Sequence, residues 1–166
     1  MPTDFADLTA LADQTAVHLL RRGETLAVAE SSAGGLVSAA LLTVAGASAW
    51  YLGGAVIYTM VAREAFLDGA MAPPGGIRGA SEEFGVYEAA AVATALGATW
   101  GVGETGATGP TGNRYGDDAG HAWIAVYGPS PRTRKIRTGV SDRTANMFAF
   151  AHAALEELNA ALTAAG

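Results

Sequence analysis

Between residues 25 and 42 the sequence TLAVAESSAGGLVSAALL changes its hydrophobic period once. Residues 25–29 form a short β-prone run, whereas Leu36, Val37, Ala40, Leu41 and then Val44 recur at helical spacing. Residues 30–35 must therefore be a turn that joins a strand to a helix. Its residues are small or polar, and the first N–H groups of the following helix have no partner inside the helix. Such groups point toward an anion or a developing negative charge, and Ser31 and Ser32 sit beside them. Turns of this composition also occur as plain serine N-caps. Two further passages weigh against that bland reading: the segment 58–63, with Tyr58 and Arg63 five positions apart, and the glycine-rich run 103–112.

The flanking chain alternates in the same way. Residues 4–20 read as an amphipathic helix capped by Thr3 or Asp4, with Phe5, Leu8, Leu11 or Ala12, Ala16, Leu19 and Leu20 as its stripe. Arg21, Arg22 and Gly23 suit its C-terminal end. A strand is expected over 55–59, with Tyr58 near its end, and VAREAFL from Val61 returns to helical spacing. Residues 68–80, dense in Gly and Pro, read as a surface loop. Ser81 then caps a helix to Gly97, with Glu82 and Glu83 in its first turn. A third strand is expected over 100–104 and a small-residue loop over 105–112. Residues 121–127 and 135–138 form an antiparallel hairpin, and Ser141 or Asp142 caps a last helix to Leu162.

This order predicts an α/β chain: a three-layer α/β/α sandwich with a mixed, mostly parallel sheet. Ligands in such sheets gather at the carboxyl ends of strands. Ser31, Tyr58 and Thr105 all lie just past such ends, so three separated segments are placed to share one pocket.

Composition narrows the chemistry. With 166 residues, half of them hydrophobic, the chain is expected to form one domain over 1–166. A net charge of -6 argues against a nucleic-acid partner. No apolar run approaches the ~20 residues that span a bilayer, and acids stand where a signal peptide carries bases, so a soluble, cytoplasmic protein without membrane association is expected. Zero cysteines remove thiolate metal sites and a Cys nucleophile. Any nucleophile is then an oxygen or the lone lysine, Lys135. Asp117 and Asp118 with His121 read as a solvated turn followed by a strand histidine, and no metal site is expected.

If Ser31 is a nucleophile, it needs a proton acceptor and donors for the oxyanion. Backbone N–H groups around Ala33, Gly34 and Gly35 are candidate donors, each worth roughly 3 kcal/mol when well placed. The acceptor is open, because His18 and His152 are remote in sequence and an arginine such as Arg63 stays protonated.

Glu30-Ser31-Ser32-Ala33-Gly34-Gly35, the tyrosine at Tyr58, Ser81-Glu82-Glu83 and Thr105-Gly106-Ala107-Thr108-Gly109-Pro110 resemble the carboxy-terminal domain of the competence/damage-inducible protein CinA. That family's pattern is ESCTGG, a tyrosine followed five residues later by a lysine, TGIAGP, and an arginine opening the final helix. The resemblance spans nearly the whole chain in order. It implies an amidohydrolase that converts nicotinamide mononucleotide to nicotinate mononucleotide and ammonia, with no cofactor and as a homo-oligomer. By similarity Ser31 is the nucleophile, Tyr58 its hydrogen-bonding partner, and Arg63 occupies the position of the assisting lysine. Glu30, Ser32, Ala33, Gly34 and Gly35, then Thr105, Gly106 and Gly109, and finally Arg143 would form the substrate pocket. Ser32, Ala33, Thr108 and Glu104 also depart from the pattern, an apolar residue being usual where Glu104 stands. Lysine can be tuned to act as a base and arginine cannot. Either Tyr58, Glu30 or a water serves Ser31 while Arg63 holds a phosphate, or the chain is a nucleotide-binding or assembly module that has lost the base.

Overall fold

A computed structural model describes residues 4–71 and 73–166. Helix α1 (Phe5–Arg22) starts where the Asp4 carboxylate accepts the Ala6 N–H at 3.0 Å, and it stops at Gly23, left-handed at φ 64°. Thr3, the other candidate cap, lies outside the described residues. Leu8, Ala12, Thr15, Ala16 and Leu19 face inward, whereas Leu20, expected in the stripe, points to solvent. After it come β1 (Leu26–Glu30), α2 (Leu36–Leu42), a 3-10 turn (Ala47–Ala49) and β2 (Tyr51–Val56). The chain continues through α3 (Met60–Phe66), α4 (Glu82–Leu96), β3 (Trp100–Ala107), β4 (His121–Tyr127), β5 (Arg132–Arg137) and α5 (Arg143–Ala164).

The sheet order is β2-β1-β3-β4-β5. β1 runs parallel to both β2 and β3, and the β4–β5 hairpin is antiparallel. One face, carrying Leu26, Val28, Trp100 and Val102, packs against α1, α2 and α5 around the fully buried Phe150, Leu155 and Leu158. The other face, with Ala27 and Ala29, lies under α4 and meets Phe84, Tyr87 and Ala91. Contact on that side is close because β3 is built with glycine. A Cβ at Gly101 or Gly103 would run into the Ala89 or Gly85 carbonyl of α4.

Three strands differ in extent from the sequence expectation. β2 runs Tyr51–Val56 rather than over 55–59: Gly53 and Gly54 lie within the strand instead of breaking it, and pairing stops at Glu30↔Val56 where β1 ends, so Tyr58 lies past the strand. A Cβ at Gly54 would come within 2.9 Å of the Val28 backbone carbonyl and crowd the Tyr51 phenol and Ser38 hydroxyl, so close packing requires that glycine. β3 runs three residues past 104, held by β4 through the pairs Thr105↔Trp123, Gly106↔Ala122 and Ala107↔His121. β5 starts at Arg132, not residue 135, because its pairing with β4 begins at Val126↔Arg132.

Candidate functional site

The first parallel pair brings Glu30 and Glu104 side by side in register at the ends of β1 and β3. Both carboxylates are fully buried. Glu30 reaches up into the start of α2, where its oxygens accept the N–H groups of Gly35 (2.9 Å), Val37 (3.1 Å) and Ser38 (2.9 Å) and the Ser38 hydroxyl (2.6 Å). The helix N-terminus is therefore capped by the preceding strand, and neither Ser31 nor Ser32 serves as its cap. Glu104 does the same for the turn itself. Its Oε2 accepts from Ser31 N (3.0 Å) and Ala33 N (2.7 Å), and its Oε1 accepts the Ser32 hydroxyl. Burial pushes the Glu104 carboxyl up to about 7, against the pull of the hydrogen bonds from Ser32, Ala33 and Ser31, with the Glu30 charge adding to the rise.

This corrects the sequence expectation that the N–H groups around Ala33, Gly34 and Gly35 face a ligand. Those of Ala33 and Gly35 go to Glu104 and Glu30, and that of Gly34 goes to the Ser31 carbonyl at 3.2 Å. Gly34 and Gly35 take φ of 69° and 98°, which an L side chain resists, so the tight path of the turn depends on them.

Ser31, half-buried, opens into a cavity of about 360 Å³ that neither Glu30 nor Glu104 lines. Tyr58, Arg63, Thr105 and Gly106 line the same cavity, so the three strand ends do meet. Ile57, Phe84 and Ala80 supply its apolar wall, and Arg114 and Tyr115 supply its outer rim. Tyr58 is 60% exposed, and Arg143 at the start of α5 donates from Nη2 to its phenol at 3.0 Å and from Nη1 to the Gly109 carbonyl at 2.8 Å. One guanidinium thus ties the β2 end to the 105–110 bend. The Thr105 hydroxyl accepts the Ala80 N–H at 3.1 Å, and His121 Nε2 donates to the Ala80 carbonyl at 2.9 Å, which holds Ala80 at φ 54°.

Arg63 faces the cavity at one end and is anchored at the other. Its Nε lies 3.3 Å from Asp68 Oδ1, and Asp68 also accepts the Tyr87 phenol at 2.6 Å. Beneath it Glu88 of α4 is fully buried, and neither of its oxygens has a hydrogen-bond donor among the described residues. Burial first, and then the Glu104 charge, hold the Glu88 carboxyl well above the ordinary range, while Arg63 pulls the other way.

Sequence reasoning noted Glu104 only as a departure and passed over Glu88, Arg114 and Tyr115. A glutamate inside the small, apolar run WGVGETGA was the available signal for Glu104. Asp117, read as part of a solvated turn, instead forms a two-point ion pair with Arg78 (2.6 and 3.2 Å) and accepts from Asn113 at 2.9 Å. These bonds, Arg78 foremost, lower its carboxyl to about 2. No group of three or more potential metal ligands occurs among the described residues. Nor is any helix among them long and apolar enough to cross a membrane.

A family model described as the CinA C-terminal domain matches residues 8–162. A CinA-like protein of Salinibacter ruber is 38% identical over 148 residues, covering 87% of this chain and 35% of the relative. Another, of Myxococcus xanthus, is 38% identical over 153 residues, covering 89% and 35%. The chain thus spans roughly a third of the length of these curated relatives. Among solved structures, a competence-damaged protein (CinA) superfamily protein from Klebsiella pneumoniae superposes with a TM-score of 0.85 at 26% identity, over 95% of this chain and 98% of the other. A competence/damage inducible protein from Agrobacterium tumefaciens gives 0.83 at 27% identity, over 93% and 95%.

Proposed function

The chain belongs to the CinA C-terminal domain family, and from that premise we propose that it is an amidohydrolase acting on nicotinamide mononucleotide. The products are nicotinate mononucleotide and ammonia. We take residues 1–166 as one such domain that acts in the cytoplasm as a homo-oligomer. The observation that carries the reading is that Ser31, Tyr58, Arg63, Thr105 and Gly106, from three separate segments, line a single cavity. In this reading the Ser31 oxygen attacks the carboxamide carbon, ammonia leaves, and water releases the acid from the resulting ester. Arg63, anchored by Asp68, supplies fixed positive charge for the nucleotide phosphate. Tyr58 and Arg143 hold the substrate at the rim, with Glu30, Ser32, Ala33, Gly34, Gly35 and Gly109 shaping the pocket from behind.

A second reading, a nucleotide-binding or assembly module without turnover, is favoured by one observation: the residue five positions beyond Tyr58 is an arginine already paired with Asp68. Both readings are separated by incubating the purified chain with nicotinamide mononucleotide. The amidase reading expects ammonia release that falls at least 100-fold in Ser31→Ala. A parent that binds the nucleotide, releases no ammonia, and begins to do so as Arg63→Lys would establish the second.

A further inference from the structure

We propose that Glu104 is a positioning residue for Ser31, acting with Ser32 as a matched pair that sets the turn from beneath while the reaction takes place above it. The inference rests on the reading of Ser31 as the nucleophile. Its ground is how the donors of the turn are distributed. Ser31 N–H has two acceptors, the Glu104 carbonyl at 3.0 Å as the last rung of the β1–β3 ladder and Glu104 Oε2 at 3.0 Å. Ala33 N–H closes on the same Oε2 at 2.7 Å, and the Ser32 hydroxyl occupies Oε1. One buried side chain therefore grips the backbone on both sides of Ser32, at Ser31 and at Ala33, and the Ser32 hydroxyl between them. No other side chain among the described residues accepts a hydrogen bond from Ser31 or Ala33.

Charge-assisted bonds of this kind are short and directional. A chain segment held by them presents a side chain at a defined angle, which matters because small displacements of a nucleophile slow its reaction far more than they weaken binding. The Ser32 hydroxyl has one further use: when the carboxyl carries a proton, the hydroxyl can rotate and accept it, leaving Oε2 free to keep Ser31 and Ala33. Glutamine offers the same pattern, an oxygen for the two N–H groups and an NH₂ for the serine. Valine offers neither.

The test uses the whole chain and two readouts: steady-state ammonia release from nicotinamide mononucleotide, and the rate at which a fluorophosphonate labels Ser31, located by peptide mass spectrometry. Glu104→Val is expected to lower kcat and the labelling rate at least 10-fold with KM changed less than about 3-fold. Glu104→Gln should restore both to within about 3-fold of the parent, and Ser32→Ala, which leaves Oε1 without its donor, should fall between. Circular dichroism establishes that each variant is folded. If Glu104→Val fails to fold, Ser32→Ala and Glu104→Gln decide the matter: a slow Ser32→Ala with a near-parental Glu104→Gln supports the pair. Parental or faster labelling in a folded Glu104→Val, or in Ser32→Ala, would overturn it, as would a parent in which Ser31 is never labelled. A parent that labels at Ser31 yet releases no ammonia would instead refute the substrate assignment and leave the labelling comparison valid.

Discussion

At the scale of single residues, two buried acids, Glu104 at the Ser31 turn and Glu88 on α4, shape how the protein responds to pH. Glu104 titrates at about 7 in the folded chain against an ordinary 4.5, and Glu88 departs in the same direction. For an acid whose folded value is raised, the folded state holds the proton longer than the unfolded state. Its contribution is therefore most favourable below about pH 4.5 and is lost as pH rises through about 7. The span corresponds to about 3 kcal/mol for Glu104. Thermal unfolding followed by circular dichroism at pH 5 and pH 8 should show Glu104→Gln gaining on the parent at the higher pH. An equal difference at both values would mean that Glu104 is ionised throughout.

At the scale of elements, the contact between β3 and α4 locates the cavity wall. Phe84 at the start of α4 and Thr105 in β3 both line the cavity, and the glycines at 101 and 103 let the helix backbone rest on the strand. Replacing Gly103 by alanine puts a methyl group into the Gly85 carbonyl, and neither partner is a flexible side-chain end that could swing aside. Overpacking of this sort costs about 1–3 kcal/mol. Gly103→Ala should lower the unfolding free energy measured in urea by that amount and also raise KM, because Phe84 must move with the helix. Gly75→Ala, in a loop where a Cβ meets nothing within 4 Å, serves as the neutral comparison. The same elements show why boundaries were harder to read than element types. Gly53, Gly54 and Gly106 look like loop residues by propensity, yet each lies inside a strand. At Gly54 and Gly106 the reason is tertiary, since the backbone of a neighbouring strand, at the Val28 and His121 carbonyls, stands where the Cβ would be.

At the scale of the whole molecule, the α/β layering and the mixed sheet were legible because periodicity and the order of elements follow from burial on two faces of one sheet. The meeting of Ser31, Tyr58 and Thr105 in one cavity was legible for a related reason, that strand ends in such a sheet share an edge. What could not be read were side-chain partnerships across the sheet. Nothing local in the sequence says that Glu104 will hold the Ser31 turn 73 residues away, that Glu30 will cap α2, or that Asp68 will anchor Arg63. These depend on strand register and helix placement, which only the folded chain defines.

Amide hydrolysis at this site requires Ser31 to form an ester with the substrate acyl group. Rapid acid quenching of the chain during turnover of nicotinamide mononucleotide, followed by peptide mass spectrometry, tests this directly. The nicotinate mononucleotide acyl group should appear on the peptide that contains Ser31 and be missing from Ser31→Ala. Sustained ammonia release with no adduct on that peptide, or with the adduct on another residue, would contradict it.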